Sequence, residues 1–207
     1  KVGIGTEKRS KIVSEKERKI TAYHEAGHAI LFHVLPDMGP VHSISIIPTG
    51  LGAAGYTMPL PEKDIMFNTK GKMLQDIIVD LGGRAARKKI FDDITTGASQ
   101  DIKTATAIAR SMVTKYGFSE KLGLINYDNQ SDEEVFLGRD LGHARPYGED
   151  IAGTIDSEVK AIIDNSYVKA KELINENIKI LHKCAEVLLE KEKITREEFE
   201  TLFNATV

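Results

Sequence analysis

The apolar positions of the chain follow two periods. Ile20, Ala22, Tyr23, Ala26, Ala29, Ile30 and Val34 recur at the three- and four-residue spacings of a largely buried helix. Ser14 followed three residues later by Glu17 is a capping-box signature, each side chain able to satisfy an orphan backbone N–H. Pro36 cannot continue the pattern, so the spacing predicts a helix from Glu15 to about Leu35. From Val41 the period changes to two: VHSISIIP alternates and is rich in β-branched residues, which predicts a strand of about six residues closed by Pro48. A glycine-rich turn follows at Gly50, Gly52 and Gly55. Helical spacing then returns. Thr69 can cap a second helix to about Ile90, carrying Met73, Ile77, Ile78, Leu81, Ala85 and Ala86. Inside it, Gly82 and Gly83 each cost roughly 1 kcal/mol relative to alanine, so a neighbouring helix is expected to approach closely there. After a turn at Thr95-Thr96-Gly97, Ser99 can cap a third helix to about Tyr116, whose buried stripe is Ile102, Ala105, Ala109, Met112, Val113 and Tyr116.

Residues 117–148 hold only scattered apolar groups and one strand-like patch, Val135-Phe136-Leu137. A stretch of this kind is expected to be functional or mobile. Beyond it the pattern predicts helices from about Glu149 to Asn175 and from Ile178 to Glu190, then a short one capped by Thr195. The fold class is therefore mainly α, with one small β-sheet. Ser43–Ile47 reads either as an edge strand open to an extended peptide or as an ordinary core strand.

Composition narrows the function classes. The 207 residues are 41% hydrophobic and 29% charged, with 17 Gly, 6 Pro and 1 Cys, a soluble globular balance that excludes collagen-like and disulfide-rich classes. The longest apolar candidate, Ala29 to Leu35, contains His33 and falls far short of the ~18–20 residues of a membrane span, so no membrane contact by this segment is expected. A net charge of −3 gives no electrostatic footprint for nucleic acid. The lone Cys184, among Leu181, Val187 and Leu188, reads as a buried core thiol. Residues 1–13, charged and Gly-rich, resemble neither a signal nor a transit peptide and read as a linker from a longer polypeptide.

The chemistry lies in the first helix. His24-Glu25-Ala26-Gly27-His28 is an H-E-x-x-H pattern. Residues four apart on a helix lie about 40° apart around its axis, so both imidazoles can reach one ion at the ~2.0–2.1 Å of zinc–nitrogen bonds. Glu25 can then take the proton of a water whose pKa zinc lowers towards ~7. Gly27 leaves room for substrate backbone or another strand. A catalytic zinc needs a third protein ligand and an open position. A metzincin would require Gly at position 31 and His at position 34, where this chain has Leu31 and Val34. His33 is five residues beyond His28 and points away from it. A carboxylate near a helix start is the natural source, and Asp101 is our choice; spacing alone does not separate it from Asp80, Asp92 or Asp93.

An ordered series of motifs goes further: TAYHEAGHA, VHSISIIP, GYT, LGGRAA, TTGASQDI, ARSMVTKYGFSEKLG and VFLGR. From about residue 10 to about 200 the chain resembles the peptidase domain of the FtsH family, membrane-anchored, ATP-dependent zinc proteases of the AAA type. The resemblance implies Zn2+ held by His24, His28 and Asp101, with Glu25 as catalytic base. It also implies a helical zincin-type protease domain over residues 14–207, with an edge strand near the active site. It further implies polypeptide substrates (unfolded or membrane proteins, as in protein quality control), a homohexameric ring, and a parent held at the cytoplasmic face of a membrane. ATP and Mg2+ would belong to a preceding AAA module, since no G-x-x-x-x-G-K-[ST] loop occurs in the chain. Two positions depart from the family pattern: Arg87 and Lys88 follow LGGRAA where acidic residues are usual, and Thr49 follows Pro48 where arginine is frequent. Two rival readings differ in testable ways. A zinc aminopeptidase would need a free N-terminus on its substrate, and a metal-free ring-assembly module would bind no zinc and be indifferent to Glu25→Gln.

Overall fold

The computed structural model describes residues 6–7, 12–50, 52–60, 66–128 and 147–205. Helix α1, Glu15–Val34, starts as the capping box predicts. The Ser14 hydroxyl accepts from Glu17 N–H at 3.2 Å and lies 3.3 Å from the Glu17 carboxylate. The helix is buried continuously from Ala22 to Leu31, so it runs through the interior of the domain. Helix α2, Lys70–Phe91, is capped by Thr69 and packs across α1. Its Gly82 and Gly83 are there for the reason their cost suggests. A Cβ on Gly82 would come 2.6 Å from Leu31 Cδ1, and one on Gly27 would come 2.6 Å from the Gly82 carbonyl oxygen. Gly27 therefore makes room for α2, not for a strand or a substrate.

Helix α3, Ser99–Thr114, follows a single 3-10 turn at Thr96–Ala98. Its N-cap is Ala98, with no side-chain hydrogen bond, so Ser99 does not cap it as expected; Thr95 caps the preceding turn instead. Ala105, Ala109, Met112 and Val113 are buried as the stripe predicts, but Ile102 is 39% and Tyr116 48% exposed. The stripe is narrower than its apolar positions because α3 meets α2 and α4 along its small residues.

Helices α4, Glu149–Glu176, α5, Ile178–Lys191, and α6, Arg196–Asn204, complete the described helices, with Thr195 accepting from Glu198 N–H at the start of α6. Cys184 is buried, as expected, and burial pushes its thiol up to about 12.

The sheet has three antiparallel strands in the order β2-β1-β3, with β1 at Val41–Ser45, β2 at Tyr56–Pro59 and β3 at Lys193–Thr195. Ile44 pairs with Thr57 on one side and Ile194 on the other. β1 is therefore the central strand, and the core-strand reading of Ser43–Ile47 holds over the edge reading. The edge strand facing α1 is β2. Thr6 and Glu7, within the proposed linker, dock beside the sheet: Gly50 N–H donates to Thr6 O at 2.9 Å, and Glu7 bridges Thr49 and Lys193. The strand-like patch at 135–137 lies outside the described residues. No helix among the described residues is long and apolar enough to cross a membrane.

Candidate metal centre

One turn of α1 presents His24 and His28 to the start of α3. His24 Nε2 lies 3.0 Å from Asp101 Oδ2, His28 Nε2 lies 3.3 Å from the same oxygen, and the two Nε2 atoms are 3.0 Å apart. Ligand atoms on a tetrahedral zinc at ~2.0–2.1 Å stand about 3.3 Å from one another. The triangle therefore has the size of one face of such a site. Of the four carboxylates that spacing left open, the structure brings Asp101 to the histidines; Asp80, Asp92 and Asp93 are not in the convergent set among the described residues.

The proton inventory points the same way. His28 Nδ1 donates to the Val79 carbonyl at 2.7 Å, which in the neutral ring leaves the Nε2 lone pair facing Asp101. Two acceptors aimed at each other need a cation or a proton between them. In the metal-free chain a proton supplies it. Burial works against the charge on His28, but the hydrogen bond and charge of Asp101, with Glu25 and the Val79 carbonyl, outweigh it and push the imidazole up to about 9. Burial likewise opposes ionisation of Asp101, yet hydrogen bonds from His24 and His28 hold it well below the usual carboxylate range. The histidine–carboxylate set, the free lone pairs and the spacing all fit zinc.

Backbone contact sets this geometry. A Cβ on Gly83 would fall 2.4 Å from His24 Cε1, 2.5 Å from its Nδ1 and 2.7 Å from His28 Nε2. Only a glycine lets α2 back both rings at once. His33, on the far side of α1, stacks on Phe203 with ring centroids 3.9 Å apart and takes no part.

Glu25 is buried beside the histidines, and its Oε2 lies 2.8 Å from the hydroxyl of Thr57 on β2. Thr57 lies in the GYT motif, where nothing in a four-residue strand after a glycine turn marks it for a role. Arg87 is buried as well, its Nη1 donating to Thr95 Oγ1. Its departure from the family pattern was the only signal at that position.

A family model described as Peptidase family M41 matches residues 11–202. The chain belongs to peptidase family M41. It is 55% identical over 202 residues to the ATP-dependent zinc metalloprotease FtsH of Caldicellulosiruptor bescii, covering 98% of this chain and 32% of that protein. It is 52% identical to FtsH 1 of Thermoanaerobacter sp. strain X514, covering 99% of this chain and 33% of the relative. Against FtsH of Thermotoga maritima the identity is 45%, again over 99% and 33%. This M41 chain thus spans about a third of the length of these curated relatives.

Proposed function

We propose that this chain is a zinc endopeptidase domain, bounded by residues 14–207, that hydrolyses peptide bonds with Glu25 as general base and His24, His28 and Asp101 as metal ligands. The observation that carries the reading is the convergence of the three ligand atoms in one partly buried corner, with the Glu25 carboxylate beside them. Zinc, when bound, supplies a Lewis acid that makes water acidic and a carbonyl electrophilic. The protein's part is proton handling and placement. The Thr57 hydroxyl fixes one oxygen of Glu25, leaving the other to take a proton from water and pass it to the leaving amine. The outer edge of β2 carries no strand among the described residues, so an extended polypeptide can add there next to Glu25. Main-chain pairing of that kind reads little side-chain identity, which suits unfolded or membrane-protein substrates of varied sequence.

We further propose that the parent polypeptide is a membrane-anchored, ATP-dependent protease working as a homohexamer at a cytoplasmic membrane face. Family membership and the roughly threefold greater length of the relatives support this. ATP binding would then belong to other parts of that polypeptide, since this chain has no phosphate-binding loop.

The test is casein hydrolysis and elemental zinc content in wild type, Glu25→Gln and Asp101→Ala. Wild type is expected to hold about one zinc per chain. Glu25→Gln should keep the metal and lose about 10²–10⁴-fold in turnover, the usual worth of a general base. Asp101→Ala should lose or weaken the metal. Casein cleavage at the wild-type rate by the glutamine variant would sink the mechanism.

A further inference from the structure

Asp101 must be held against two histidines from another helix, yet α3 starts without a capping side chain: its N-cap is Ala98. The launch of α3 is fixed one step earlier. Thr95 caps the Thr96–Ala98 turn by accepting from Gly97 N–H at 3.3 Å, and the same Oγ1 accepts from Arg87 Nη1 on α2. The guanidinium also lies against Gly97, where an added Cβ would stand 3.2 Å from Nη1. Arg87 is only 3% exposed, and its Nε and Nη2 have no hydrogen-bond partner. These two N–H groups form one edge of the guanidinium fork, the edge that matches a pair of oxygens. Burying such an edge unpaired costs free energy and calls for a compensating role. Burial lowers the guanidinium's proton affinity and the charge of Arg84 lowers it further, while Asp101 and, less strongly, Glu25 raise it, so the charge sits in the field of both carboxylates.

We propose that Arg87 is a positioning residue for Asp101: from α2 it ties down the Thr95–Ala98 turn and counterbalances the two site carboxylates, setting the metal ligand in place. The inference rests on the zinc peptidase reading. A positive charge near a cation site also repels the cation, so the two effects of Arg87 oppose each other. The tie is expected to dominate because it is the side-chain bond, among the described residues, that joins α2 to the turn leading into α3, the helix of Asp101.

The experiment measures zinc affinity by chelator competition, and melting of the zinc-free chain, for wild type, Arg87→Met, Arg87→Lys and Thr95→Val. Arg87→Met is expected to bind zinc about 10–100-fold more weakly, the usual effect of losing a group that orients a ligand. Its zinc-free form should melt close to wild type, since removing two unpaired buried donors offsets the lost bond to Thr95. Thr95→Val should weaken zinc binding in the same direction, and it decides the matter if the methionine variant does not fold. Arg87→Lys keeps the charge and one donor and should return to within about threefold of wild type. Zinc affinity unchanged or tighter in Arg87→Met would overturn the proposal. So would a weakening that only tracks lost stability, or a lysine variant no better than methionine. If wild type itself holds no zinc, the peptidase reading falls and takes this inference with it. Zinc in wild type with indifferent variants overturns the role of Arg87 alone.

Discussion

Where α1 crosses α2, the two helices meet through glycine backbone, and the interior there holds His24, Glu25, His28, Asp80 and Arg87 in various states of pairing. On its other side, α1 is covered by α5, which presents Leu181, Cys184 and Leu188, while Phe199 of α6 meets His33 near the end of α1; all four side chains are essentially inaccessible. The polar contacts on that side are satisfied pairs, the Tyr23 hydroxyl 2.7 Å from His182 Nδ1 and Arg18 Nη2 donating to the Leu189 carbonyl at 3.0 Å. The first interface gives up side-chain volume so that polar groups can be held directly against helix backbone. The second is filled by large apolar side chains and supplies stability. A substitution should therefore harm metal binding on one side of α1 and folding on the other, and the following variants test that separation.

The largest effects come from a matched pair. Gly83→Ala places a methyl 2.4 Å from His24 Cε1, a separation that cannot persist, so both histidine rings must shift. Zinc affinity is expected to fall by about 100-fold or more, at or beyond the upper end for disturbing a ligand's support. Leu181→Ala should cost about 2–5 kcal/mol of folding stability by leaving a cavity, with the zinc affinity of the folded chain unchanged. Denaturant unfolding and chelator titration of both variants check the pair. If Gly83→Ala lost only stability, the division between the two faces would be wrong.

The polar side also carries a pH signature. Burial pushes the Asp80 carboxyl up to about 7, with Asp101 and Asp76 adding to the effect and His28 opposing it. The unfolded carboxyl titrates near ~3.9, so between about pH 4 and pH 7 the folded zinc-free chain binds the extra proton. The Asp80 contribution to stability should decline across that window as pH rises and level off above it, while His28, raised to about 9, loses its own contribution between about pH 6.5 and pH 9. Asp80→Asn removes the Asp80 part of the decline. The stability difference between variant and wild type should grow from pH 5 to pH 8 by on the order of 2 kcal/mol. A difference that stays constant with pH would show that Asp80 is ionised throughout.

The same contrast explains what the sequence alone revealed. Helical elements were legible because their apolar positions repeat over many turns, and α1, α2, α4 and α5 lie within a residue or two of their expected bounds. Glycines 82 and 83 announced a close crossing through their cost. β2 and β3 were not seen, since strands of four and three residues hold too few positions to show a period. The central place of β1 depends on β3, which comes about 150 residues later, a pairing that no local pattern encodes. Within the site, H-E-x-x-H was visible because both histidines sit on one helix turn. Asp101 required the family resemblance to single it out from Asp80, Asp92 and Asp93, because its approach is made by a separate helix. Thr57 and Arg87 act through tertiary contacts and carry no spacing signal at all.

The smallest expected effect tests the seam between the sheet and α1, where catalysis and metal binding should come apart. The Thr57 hydroxyl lies 2.8 Å from Glu25 Oε2 and 3.0 Å from the Glu25 carbonyl oxygen, and with one proton it can satisfy only one of them at a time. While it holds the carboxylate, Glu25 has a fixed direction next to the histidines. Once a base takes up a proton its need for a donor falls, and the hydroxyl can turn to the carbonyl at little cost. Thr57→Val keeps the shape of the strand and removes that donor. Turnover of casein should fall about tenfold, the worth of one hydrogen bond to a charged group, while zinc content and folding stability stay close to wild type. Thr57→Ser, which restores the hydroxyl, should recover most of the rate. If valine lowered zinc content as much as turnover, Thr57 would be supporting the metal site as a whole. A wild-type rate in the valine variant would mean that Glu25 is oriented by α1 alone, and the sheet would then matter only for holding the substrate.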